Sequence, residues 1–139
     1  EDLRKTLENP GGIQIILRAA DGTIVGYLAS KPHNEALEEL RQYDPKMQEE
    51  ENALYIESIA ILPESRSLRT FLQLGKIFLQ EAKNRGFKKI TMHARVASSL
   101  SSALQKRYGA KYLRTIDNWL NFGESFDYLE IEVGTKKEP

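Results

Sequence analysis

The chain has 139 residues, 40% of them hydrophobic and 29% charged, a composition that fits one globular domain with a single core. Its 20 basic and 20 acidic side chains cancel, and it has no cysteine. That excludes a disulfide framework and a thiol nucleophile, and fits a reducing, cytoplasmic setting. No apolar run approaches the ~18 residues of a membrane span, and the start, EDLRKTLENP, lacks the apolar stretch of a signal peptide.

The neutral total hides a sorted charge. Residues 66–114 carry twelve Lys or Arg against one acid, Glu81. Residues 1–65 carry six basic side chains against thirteen acids, and residues 115–139 carry two against six. A basic centre of +11 points to an anionic partner or to solvated helix faces. Nucleic acid is the weaker candidate, because the basic residues are not interleaved with aromatics as in single-strand binders.

Asp2 to Glu8 reads as the last turns of a helix, closed by Asn9-Pro10-Gly11-Gly12. A chain that begins in mid-helix suggests that further elements precede it. Ile13 to Arg18 and Thr23 to Ser30 are apolar strands, and Asp21-Gly22 between them is a hairpin signal. Asn34 to Asn52 is expected to be a helical insert with seven acids against Arg41 and Lys46. It is either a solvated surface helix or an acidic flank for a cationic acceptor. His33, beside a proline at the start of the insert, is expected at the surface.

Residues 53–86 organise the rest. Leu54, Ile56, Ile59 and Ile61 mark a strand, which Pro63 stops because it has no N–H to donate. After the polar turn Glu64 to Ser67, Leu68, Phe71, Leu72, Gly75, Phe78, Leu79 and Ala82 recur at helical spacing. Gly86 is placed as a left-handed cap, with Lys83 and Arg85 in the last turn. Phe87 to Arg95 is the next strand, with Ile90 and Met92 on one face and Thr91 and His93 on the other. Strand, crossover helix and strand predict a parallel pair. A short helix from Ser98 to Tyr108, N-capped by Ser98 or Ser99 and closed by Gly109, leads to strands at 110–114 and 125–133. The loop between those strands carries Trp119 and Phe122, and residues 134–139 read as a frayed tail. The expected class is α/β (α+β): a mixed twisted sheet with antiparallel N-terminal strands, a parallel central pair and flanking helices.

The element order and residues 53–114 resemble the GNAT superfamily of N-acyltransferases. Tyr55-Ile-Glu-Ser-Ile-Ala-Ile-Leu-Pro63 looks like the family strand that splays and offers backbone groups to acyl-coenzyme A. Pro63-Glu-Ser-Arg66 looks like the start of its pyrophosphate loop, and Ser99 to Ala110 takes the place of its following helix. The resemblance spans about residues 2–133 by element order and is specific from Tyr55 to Gly109. It implies a single GNAT-like domain over 1–139, and leaves open that the N-terminal strand and helix of that fold are missing. The chain departs from the family loop R/Q-x-x-G-x-G/A at Arg69 and Phe71, where small residues belong. Gln105 stands where the family often has a tyrosine acid, and Tyr108 lies one residue before Gly109.

The resemblance implies acetyl-CoA (acyl-CoA) as co-substrate. Its contacts would be Ile59, Ile61, Leu62, Arg66, Ser67, Leu68, Arg69, Thr70 and Ser99, with an oxyanion donor near Ile61. The acceptor would be an amine-bearing small molecule or peptide. Glu57 is the candidate base, because an acid in an apolar strand is raised in pKa by desolvation; the alternative is a solvent-facing side chain. Tyr108 is the candidate acid, or else packs at a helix end. Trp119 and Phe122 would line the acceptor site or cover the core. His93 reads as structural, and two separated histidines give no metal spacing, so no metal is expected. Two functions remain: an N-acyltransferase acting on a primary amine, or a non-catalytic module that senses acyl-CoA or binds a partner protein. A homodimer stays open.

Overall fold

The computed structural model describes residues 9–98 and 100–134. The helix end expected at 2–8, the contact expected at Ser99 and the tail from 135 lie outside the described residues. Strands β1 (Gln14–Arg18) and β2 (Ile24–Pro32) form the expected hairpin. Gly22 turns it at φ +91°, while the Asp21 carboxylate accepts the Thr23 amide at 2.9 Å.

Helix α1 spans only His33–Leu40, well under half of the insert expected to be helical. The amides of Tyr43 and Asp44 both fold back on the Leu40 carbonyl at 2.9 Å. Pro45 brings no N–H and disfavours helical backbone at Asp44, so residues 41–52 run on as turns. Strand β3 (Ala53–Ile61) follows, then a 3₁₀ turn at Pro63–Ser65.

Helix α2 (Leu68–Asn84) starts on a true cap, with the Ser67 hydroxyl accepting the Thr70 amide at 3.1 Å. It ends as expected on Gly86, at φ +87°. The Gly86 amide reaches the Lys83 carbonyl at 3.1 Å and the Phe87 amide the Ala82 carbonyl at 3.0 Å, a Schellman closure. Strand β4 (Lys89–Arg95), helix α3 (Leu100–Tyr108) and strands β5 (Lys111–Ile116) and β6 (Phe126–Glu132) complete the order.

The sheet runs β1-β2-β3-β4-β6-β5, with β3 and β4 parallel and every other pair antiparallel. Residue alternation sorts its two faces. Leu54, Ile56, Ile90, Met92 and Leu129 pack with Leu74, Phe78 and Ala82 of α2 and Leu104 of α3. Tyr55 and Tyr128 face the other way, toward Ala36, Leu37 and Leu40 of α1 and toward Trp119.

Two departures from regular pairing shape the centre. The parallel register of β3 and β4 runs from Ala53↔Lys89 to Ile56↔Met92 and stops, although both strands continue. The sheet therefore forks beyond Ile56. At the same level the β2–β3 register slips, Ala29 facing Ser58 and Ser30 facing Ile56, so Glu57 is the extra residue of a β-bulge.

Candidate functional site

The fork opens the middle of the sheet, and α2 starts at its mouth. The Leu62 amide donates to the Val25 carbonyl of β2 at 2.8 Å. Alternation along an antiparallel strand then turns the backbone groups of Ile59 and Ile61 away from β2 and into the fork. The Ile61 carbonyl already accepts the Arg66 guanidinium at 2.9 Å, so Arg66 braces the strand end. Leu62 is engaged on both sides, since its carbonyl accepts the Ser65 amide at 2.9 Å. Thr70 gives its amide to the Ser67 cap. The amides of Leu68 and Arg69 remain, first-turn groups that no intrahelical bond can satisfy, and the Arg69 side chain is exposed beside them.

On the α2–α3 side of the fork, Tyr108 crosses between the helices. Its hydroxyl donates to the Leu72 carbonyl at 3.0 Å, and its ring meets Phe71 edge-on at 5.7 Å. Gly75 makes that crossing possible, because a methyl group there would collide with the Tyr108 hydroxyl. Burial raises the Tyr108 pKa. Phe71, in the first turn of α2, is thus half of an aromatic pair. Gln105 points elsewhere, donating to Ser101 at 3.0 Å, and Ser101 in turn donates to Asp127 at 2.6 Å.

On the opposite face, the bulge aims Glu57 inward. Its side chain is 3% exposed and lies 3.4 Å from the Lys31 ammonium, which also bonds Glu39 at 2.6 Å. Glu57 is therefore not the solvent-facing acid that the strand pattern left open.

Next to it is a network that the sequence did not announce. Tyr55 on β3 and His93 on β4 meet across the crotch of the fork, hydroxyl to Nδ1, at 2.7 Å. His93 Nε2 lies 3.0 Å from Asp44, and Arg114 grips the same carboxylate through Nε at 2.9 Å and Nη2 at 2.7 Å. Burial opposes the Asp44 charge, but hydrogen bonds from His93 and Arg114, and the charge of Arg114, outweigh it and hold the pKa at about 2. Burial lowers the His93 pKa, more than the Asp44 carboxylate raises it. A neutral ring donating through Nε2 to that carboxylate must accept at Nδ1, so Tyr55 is the donor there.

Trp119 stacks on His93 at 3.8 Å, and the Arg114 guanidinium covers the Tyr128 ring at 4.4 Å. A loop with left-handed Asn118, Leu120 and Asn121 delivers Trp119 into this stack, while Phe122 stays 62% exposed.

Two expectations are corrected here. His33 is completely buried, not superficial. Its Nε2 bonds the Gln48 carbonyl at 2.8 Å and its Nδ1 the Thr91 hydroxyl at 2.7 Å, with burial lowering its pKa. Asp44 is no part of a solvated acidic flank, being 2% exposed. No local signal marked either one, because a histidine or an aspartate beside a proline reads as surface until the folded chain supplies its partners.

The forked sheet, the parallel pair and the helix at the fork mouth define an acyltransferase-type fold. The sequence profile of the Acetyltransferase (GNAT) family matches residues 1–112, and the chain belongs to that family. Solved structures agree in fold. The ribosomal-protein-S18-alanine N-acetyltransferase from Escherichia coli superposes with a TM-score of 0.71 at 12% identity, over 98% of this chain and 78% of that one. A GNAT superfamily phosphinothricin acetyltransferase from Sinorhizobium meliloti, solved with AcCoA, gives 0.69 at 17% identity, over 99% and 71%. An IAA acetyltransferase from Bacillus cereus gives 0.67 at 13% identity, over 88% and 79%. No curated protein sequence matches the chain.

Proposed function

We propose that the protein is an N-acyltransferase that moves an acyl group, acetyl being the simplest, from acyl-CoA to a primary amine. The observation that carries this reading is the fork itself: β3 backbone at Ile59 and Ile61 that no longer pairs with β4, with the N-terminus of α2 at its mouth. The diphosphate of acyl-CoA would sit on the Leu68 and Arg69 amides with Arg69 beside it. The thioester carbonyl would lie in the fork, where a backbone N–H near Ile61 answers the charge that develops on its oxygen. The amine nitrogen bonds to the acyl carbon, the C–S bond breaks, and the CoA thiolate leaves and takes up a proton. Glu57, directly or through a water, would take the proton that the ammonium must lose.

A second reading has its own observation. Glu57 is paired with Lys31, and the Tyr108 hydroxyl is committed to α2, so neither stands poised for proton transfer. A module that binds acyl-CoA without turnover fits that arrangement. Calorimetric titration with CoA and acetyl-CoA, followed by thiol release against a panel of amines, decides. Binding with turnover supports the enzyme, binding alone supports the module, and no binding overturns both.

A further inference from the structure

We propose that the acyl site takes a chain longer than acetyl, with butyryl the best fit. This rests on the acyl-CoA reading above and deepens it. Between α2, α3 and the sheet lies an apolar cavity of about 30 Å³, lined by Ile56, Ile59, Leu74, Gly75, Leu104 and Ile131 among others. Ile56 is the last β3 residue paired to β4 and Ile59 lies within the fork, so the cavity begins at the fork floor. The one polar atom that a lining side chain could offer, the Tyr108 hydroxyl, is spent on the Leu72 carbonyl. Such a cavity rejects water and the amide-bearing pantetheine arm, and accepts hydrocarbon.

Its size selects the hydrocarbon. One water-sized group needs ~10–15 Å³ of such space, so about two carbons fit. An acetyl methyl held in the fork leaves them unfilled, and a butyryl chain supplies both. The glycine at position 75 gives room twice over, for the Tyr108 crossing and for the cavity wall beneath it.

The test is calorimetry on the whole chain with CoA, acetyl-, propionyl-, butyryl- and octanoyl-CoA. Each methylene buried should tighten binding roughly fourfold, so butyryl-CoA should exceed acetyl-CoA by roughly tenfold or more, and octanoyl-CoA should fall back because its further carbons exceed a volume of about 30 Å³. Leu79→Phe, which fills the cavity from α2, should erase the butyryl advantage while leaving CoA itself bound; the unsubstituted protein's series needs no variant to fold. Equal affinities across the series, or a preference for acetyl, with CoA still bound, would overturn the acyl-length proposal and leave the acyl-CoA reading standing. Failure of CoA itself to bind would overturn both.

Discussion

At the scale of single residues, Glu57 and Asp44 are both buried carboxylates with different tasks. Glu57 lies on the bulge beside the fork, with one ammonium within 3.4 Å. If it accepts the acceptor's proton, Glu57→Gln should lower kcat by a hundredfold or more at neutral pH, on the order of general-base catalysis. The loss should shrink at high pH, where free amine is already present; a loss that does not change with pH would remove Glu57 from proton transfer. Tyr108→Phe should cost about tenfold at most, ~1.4 kcal/mol of barrier, because the CoA thiolate leaves with little help. Asp44 is structural. Asp44→Ala strands Arg114 and His93, and should lower unfolding free energy by about 3 kcal/mol in urea titration. Glu124→Ala removes only the half-exposed partner of Arg95 and should cost less than about 0.5 kcal/mol.

At the scale of elements, α2 does two jobs from its two faces. Its N-terminus is the candidate anion site. Arg66→Ala with Arg69→Ala should weaken CoA binding and flatten its salt dependence. Unchanged affinity at low and high salt would refute the site. Its middle holds Tyr108. Gly75→Ala would gain helix propensity of ~1 kcal/mol but collides with the Tyr108 ring, so it should lower Tm in the native background. With Tyr108→Ala already in place, the same Gly75→Ala should raise Tm. A double-mutant cycle without that change of sign would show that Tyr108 does not rest on Gly75.

For the whole molecule, both buried histidines make stability fall on acidification. His93 faces Asp44, Arg114, Tyr55 and Tyr128, and His33 faces Thr91 and the Gln48 carbonyl with Glu50, Glu130 and Lys89 nearby. Both have pKa values lowered from 6.5 in the folded state. Below that value the unfolded chain takes up protons that the folded chain refuses, so stability is full above 6.5 and falls as pH drops toward the folded values. Asp44 adds a further loss between 3.8 and about 2, as its carboxylate protonates. Urea midpoints should therefore drop from pH 7.5 to 5.5 and again below 4; a flat profile from 7.5 to 5.5 would show the histidines to be open to solvent.

Local pattern alone determined the element order, the Asp21-Gly22 hairpin, the Gly86 cap, the parallel β3–β4 pair and the opposite faces of Met92 and His93. These are short-range consequences of side-chain period, turn chemistry and crossover handedness. Element order and the motifs from Tyr55 to Gly109 also carried the family resemblance. Only the tertiary structure decided where Glu57, Arg114, Asp44 and His33 point. Glu57 and Arg114 sit at breaks in strand register, and a bulge shifts the parity on which a strand reading depends. Asp44 and His33 find partners 49, 70 and 58 residues away, and an acid or a histidine beside a proline reads as surface until those partners arrive to satisfy it.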